Sequence, residues 1–137
     1  MKSIILDSSA LFSLASSADS NHTKALSIAK ILANDNRMLI LPTEVFSELM
    51  NIAGKKGGRS MQNNLYHDLI GSSNIILPQT KRELITLTYD KLLQLPTSVS
   101  FTDSLVMTYA DTYETNYIFG FDEVFTKNGY NLPTTER

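Results

Sequence analysis

Four acidic residues, Asp7, Glu48, Asp103 and Asp122, stand in separate segments whose patterns could bring them to one edge of a sheet. Carboxylates gathered without a counterion raise one another's pKa, and some would protonate. A divalent cation removes that cost. Mg²⁺ or Mn²⁺ accepts a few carboxylates and keeps several waters, which leaves positions for phosphate oxygens. Such a site can hold a scissile phosphate, lower the pKa of a bound water and stabilise the leaving oxygen. Phosphodiester hydrolysis then needs no protein nucleophile. Each acid also has a plainer reading. Asp7 can cap a helix that begins at Ser8, Asp103 can be the acidic end of a Ser100-x-x-Asp103 capping box, and Asp122 can cap a short helix after Phe121. Glu48 alone reads as a solvated helix residue, and Glu44, one turn earlier on the same face, is as eligible by spacing.

The elements that would position these acids alternate between two periods. Ile4-Ile5-Leu6 is a short apolar run ending at Asp7, and the pattern Leu11, Phe12, Leu14 beyond it is helical, giving strand, turn, helix. A second helix is predicted from Asn21 to Ala33, closed by Asn34-Asp35-Asn36. Met38 to Leu41 is strand-like, and Pro42-Thr43 suits the opening of a helix carrying Val45, Phe46, Leu49 and Ile52. Gly54 to Ser60 reads as a loop and Ser60 to Ile70 as another helix. Ile75 to Leu77 is a buried strand, Lys81 to Leu95 a helix stopped by Pro96, Ser100 onwards a helix through Leu105, Val106 and Ala110, and Tyr117 to Phe119 a strand. Strands alternating with helices imply a mostly parallel sheet covered on both faces, a three-layer α/β/α sandwich. In open sheets of this class ligands collect beyond the carboxyl ends of the strands. Asp7 and Asp122 follow two such ends, Asp103 opens a helix, and Glu48 lies about one turn into the helix after Met38 to Leu41.

Composition sets limits on what the acids could serve. The chain has 137 residues, 42% of them hydrophobic, enough for one core, and a single domain over 1–137 is expected. The net charge of -2 gives no overall positive field to hold a polyanion. With the four acids set aside, the rest of the chain is mildly basic. There is no cysteine, which excludes disulfides, thiolate metal sites and cysteine nucleophiles and is compatible with a reducing cytoplasm. No His-rich metal motif is present, so a metal must be a hard cation on oxygen ligands. The segment from Met1 to Ala18 imitates a signal peptide, but Asp7 interrupts its apolar stretch, and it reads as structure. No run approaches the roughly 18 apolar residues of a membrane helix. An aspartyl phosphatase would want a second Asp where Ser9 stands, and the glycine fingerprint of a dinucleotide site is missing after the first strand.

Taken as blocks, these residues resemble the PIN domain family and, within it, VapC-type toxins. Ile5-Leu6-Asp7-Ser8-Ser9-Ala10-Leu11 is similar to the first block of that family. Phe46-Ser47-Glu48-Leu49 resembles the second, favouring Glu48 over Glu44. Phe101-Thr102-Asp103-Ser104-Leu105 resembles the third, and Phe119-Gly120-Phe121-Asp122, followed by Phe125, the fourth. The likeness runs from Ile4 to about Tyr130 with the acids in the family's order. It implies a Mg²⁺- or Mn²⁺-dependent endoribonuclease, cutting RNA at Asp7, Glu48, Asp103 and Asp122, commonly as a homodimer and, in toxins, held by an antitoxin protein. Two departures stand out. Gly120 lies where the family often has Ser or Thr, and Ser104 where it commonly has Ala. The alternative is a PIN fold kept as a non-catalytic module that grips a protein partner or RNA.

Other residues carry less. Lys55, Lys56 and Arg59 in the glycine-bearing segment could touch RNA phosphates, against the plainer role of a solvated loop. The same segment lacks the phosphate-loop motif, with Ala53 in place of its first Gly and Arg59 before Ser60. Ser8 and Ser9 could bind metal-bound water or substrate, or merely bond at the helix start. Tyr109, Tyr113 and Tyr117 could stack on bases, but packing roles are expected. His22 and His67 read as surface residues.

Overall fold

The computed structural model describes residues 2–133. Its elements follow the order β1 (Ile4–Leu6), α1 (Ser8–Ala15), α2 (His22–Asp35), β2 (Leu39–Ile40), α3 (Thr43–Ile70), β3 (Ile75–Ile76), α4 (Arg82–Leu92), α5 (Phe101–Thr112), β4 (Ile118–Phe119) and α6 (Glu123–Lys127). The strands form one sheet in the order β3-β2-β1-β4, and every pair is parallel. Ile4 and Ile5 stand opposite Leu39 and Ile40 on one side, and Ile5 and Leu6 opposite Ile118 and Phe119 on the other.

Short, wholly apolar strands suit this central place. Both faces of β1 are covered, and Ile4, Ile5, Ile40, Ile118 and Phe119 are at most 1% exposed. Fully burying one such side chain is worth about 1.5–3 kcal/mol. Parallel strands need crossovers, and those crossovers are right-handed. From β1 the chain steps outward through α1 and α2 to β2, then through α3 to β3, and these connections lie on one face. The return through α4 and α5 to β4 steps the other way and lies on the opposite face. Accordingly α1 packs against α2 and α3, whereas α4 packs on α5, which rests on β1 and β4. The predicted α/β/α sandwich is the observed one.

Two predicted boundaries need correction. Gly54 to Ser60 is not a loop: helical backbone continues through it and is interrupted at Gly58 alone, with φ 73° and ψ −169°. A positive φ of this size is open to glycine and strained for other residues. Beyond that bend α3 doubles back on itself. Gln62 Nε2 donates to the Met50 carbonyl at 2.9 Å, and the Phe46 and Tyr66 rings meet edge to face at 6.5 Å. The helix predicted to reach Leu95 ends at Leu92. His22 is likewise no free surface residue, because it is half-buried with Nδ1 2.8 Å from the Ser13 carbonyl. His67 is exposed as expected, and Tyr109 is buried and stacked on Tyr113.

Candidate active site

Strand order reverses between β1 and β4, since the chain steps from β1 towards β2 on one side and reaches β4 on the other. The crevice beyond such a switch point is where open parallel sheets hold ligands. Asp7 follows β1 there, its backbone N–H donating to the Phe119 carbonyl at 3.0 Å. Asp122 follows β4 at the start of α6. Asp103 lies in the first turn of α5, and Glu48 on α3 comes from the β2 side.

The capping roles are real and coexist with this placement. An Asp7 oxygen accepts from the Ser9 N–H at 3.3 Å, an Asp122 oxygen from the Val124 N–H at 3.2 Å, and Ser100 Oγ from the Asp103 N–H at 3.0 Å. A cap uses one carboxylate oxygen and leaves the other.

The four acids also sense one another. Asp7, 4% exposed, is pushed up from its ordinary 3.8 to about 6, chiefly by burial, with hydrogen bonds from Ser9 opposing and the nearby Glu48 charge adding. Asp103 rises to about 7 through burial, then through the charges of Asp122 and Asp7, and a hydrogen bond shared with Asp122 favours its protonated form. These influences run in a chain from Glu48 to Asp7 to Asp103 to Asp122. Among the described residues no Lys or Arg nitrogen forms an ion pair with any of them.

Two adjacent hydroxyls brace the acids. Ser8 Oγ donates to Glu48 Oε1. Ser9 Oγ donates to Asp7 Oδ2 at 2.6 Å and accepts from the Phe121 N–H at 3.0 Å. None of these three bonds is visible in the sequence, where the only signal is two hydroxyls following an acid. Gly120 is explained by the same crowding: a Cβ there would lie 2.8 Å from Asp7 Cβ and 2.8 Å from the Phe125 ring. Ser104, fully buried, donates to the Thr88 carbonyl at 2.9 Å and ties α5 to α4.

Two grooves adjoin the cluster. One of about 500 Å³ contains Glu44, Glu48 and Lys55, and the other, of about 430 Å³, contains Asp103, Asp122 and Lys127. Lys24 lies 5.7 Å above the Phe121 ring and Lys56 5.2 Å above the Phe12 ring. Sequence reading singled out Lys55 and Lys56 but not Lys24 or Lys127, which no local pattern marks. Glu44 is engaged elsewhere, accepting from Thr80 Oγ1 at 2.9 Å.

A hard divalent cation fits the donor chemistry, because every candidate ligand is a carboxylate oxygen and, among the described residues, none of them is ion-paired to a Lys or Arg. Among the described residues, however, no three acidic or imidazole groups stand together closely enough to ligate one ion as they are. A cation that keeps several of its waters suits that spacing, reaching some carboxylates directly and others through water.

The sheet order, the two helical layers and the acids beyond the strand ends define a PIN-type fold. The crystal structure of VapC20 from Mycobacterium tuberculosis, a sarcin-ricin loop cleaving toxin, matches it with a TM-score of 0.80 over 93% of this chain and 96% of that one, at 17% sequence identity. No protein-family model and no curated protein matches the chain by sequence.

Proposed function

We propose that the protein is a metal-dependent endoribonuclease, the toxin of a toxin–antitoxin pair, acting at Asp7, Glu48, Asp103 and Asp122. The observation that carries the reading is a run of mutually interacting carboxylates, without a basic partner among the described residues, at the switch point of the sheet. Acids that served only as helix caps would have no reason to be buried and set beside one another until two of them are pushed towards neutral pKa values. Asp7, Asp103 and Asp122 are the principal carboxylates for Mg²⁺ or Mn²⁺, directly or through water, and Glu48 completes the set and orients the attacking water. Bound there, the cation supplies positive charge towards the phosphate and acidifies the attacking water. Lys55 and Lys127 lie in the adjoining grooves, where they can meet RNA phosphates.

The test is cleavage of an RNA pool that includes a sarcin-ricin loop, with Mg²⁺, with Mn²⁺ and with chelator. Fragments should appear only with metal and should fall at least about 100-fold in Asp103→Asn and in Asp7→Asn, the upper scale on which even outer supporting partners of a metal act. Asparagine preserves shape and helix capping, so both variants should remain folded. Full activity in both would remove the four-acid site. A second reading, a PIN-fold module that binds a protein or RNA without cutting, is favoured by the absence of three tightly converged ligands among the described residues. Stabilisation by Mn²⁺ separates the two, since only a cation site gains stability from the ion. A second copy of the chain is the further proposed partner, supported by apolar side chains left exposed around α4, namely Ile85, Leu87, Tyr89 and Leu93. No helix among the described residues is long and apolar enough to cross a membrane, and a cytoplasmic location belongs to the same proposal.

A further inference from the structure

We propose that Ser8 and Ser9 are positioning residues of the acidic site, two consecutive hydroxyls that lock acids from remote segments into one arrangement. The proposal rests on the metal-site reading above.

A serine at a helix start ordinarily bonds to nearby backbone. These two do something else. Ser8, 4% exposed, donates to Glu48 across 40 residues of sequence and so ties the first turn of α1 to α3. Ser9 spends its proton on Asp7 Oδ2 and takes the N–H of Phe121, 112 residues away, on its lone pair. Phe121 directly precedes Asp122. One hydroxyl therefore fixes the carboxylate of Asp7 and the backbone that presents Asp122, while its neighbour fixes Glu48. Three of the four acids are referenced to a single turn of helix.

The fit is tight where Ser9 acts. A Cβ added at Gly120 would meet Asp7 Cβ at 2.8 Å and Asp7 Oδ2 at 3.1 Å, so the end of β4 leaves no room for a side chain beside the carboxylate that Ser9 holds. Each serine occupies one carboxylate oxygen and leaves the other for an ion. Partners that orient ligands in this way typically matter by 10–100-fold in metal affinity or activity.

The test is a Mn²⁺ titration read by melting temperature, with the wild type, Ser8→Ala, Ser9→Ala, Ser9→Thr and Ser13→Ala. Ser13 is a control on the same helix: it is buried and its hydroxyl donates to Asp19 at 2.6 Å, outside the acidic site. The expected result is that Ser8→Ala and Ser9→Ala each need at least about tenfold more Mn²⁺ for half-maximal stabilisation. Ser9→Thr should restore the wild-type requirement, and Ser13→Ala should melt lower without changing it. Ser8→Ala leaves the Phe121 N–H bonded and gives an independent reading should Ser9→Ala not fold. If the alanine variants melt lower yet respond to Mn²⁺ as the wild type does, the positioning role is overturned and the metal site stands. If the wild type gains nothing from Mn²⁺, the metal site and the positioning role fall together.

Discussion

Helix α5 carries an aspartate near each end, and the two are treated in opposite ways. Near its carboxyl end, Asp111 belongs to a finished network: Lys91 Nζ lies 2.9 Å from one oxygen, the Tyr130 hydroxyl donates to the other at 2.7 Å, and Lys91 also donates to that hydroxyl at 3.2 Å. Near the amino end, Asp103 has other acids as its neighbours, and its charge is disfavoured first by burial and then by them. The fold thus has the means to neutralise an acid within itself and does so at one end of the helix only. An acid whose compensation is internal holds structure together. An acid left among its like carries its charge at a cost that protonation or a charge from outside relieves, which is the physical content of the proposed site.

The strongest test of that contrast lies at Gly120. Added methyl groups in filled space cost about 1–3 kcal/mol, and for a chain of this size each kcal/mol moves the melting temperature by roughly 3 °C. Gly120→Ala should therefore melt roughly 3–9 °C lower and, because the new Cβ would press on Asp7, should also weaken stabilisation by Mn²⁺. Calorimetry with and without the ion reads both. A variant that melts lower while binding Mn²⁺ unchanged would show that the end of β4 is packed for stability alone.

The pH dependence comes next in size and has a definite sign. Asp7 is pushed to about 6 and Asp103 to about 7, both from an ordinary 3.8. Folded protein therefore binds more protons than unfolded protein between about pH 4 and pH 7, and stability falls as pH rises through that window. In chelator the melting temperature should decline across it. Asp103→Asn should decline less and melt higher than the wild type at pH 8, and Mn²⁺ should restore the wild type there. If the wild type shows no greater decline than Asp103→Asn, the acids are not repelling one another and the capping role is all they have.

How much of this was legible in the chain follows from what is local. An apolar triplet ending at Asp7 is a strand that stops at an acid, and Ser100-x-x-Asp103 is a helix start, so the placement of both acids could be read directly. The parallel sheet followed from alternation, and its carboxyl edge from the order of elements. The bond from Ser8 to Glu48 spans 40 residues, and no spacing rule predicts which of two hydroxyls faces α3. The glycines of 54–60 suggest a loop because glycine weakens helices. Only Gly58 leaves the helical region, and packing of Ala53 and Leu65 in the core holds the two arms in place. His22 gives no local signal of its burial for a related reason, since its partner is a carbonyl on another helix.

The smallest effect is expected at the finished network, and it should have the opposite sign to that of the acids. Lys91 is held above its ordinary pKa: burial alone would lower it, but its contacts with Asp111 and Tyr130 outweigh that. A raised lysine contributes stability below its unfolded pKa of 10.5 and loses it only as pH rises through the higher folded value, so nothing changes near neutrality. Asp111 is about half exposed, and partly exposed pairs are worth about 0–1 kcal/mol. Lys91→Ala should accordingly lower the melting temperature by at most roughly 3 °C, equally with and without Mn²⁺, and leave RNA cleavage unchanged. Asp103→Asn in chelator should instead melt higher. Opposite signs for a substitution at each network would show that one cluster is complete and the other awaits its ion. A loss of Mn²⁺ response in Lys91→Ala would mean that the two ends of α5 are coupled, and the contrast between them would have to be abandoned.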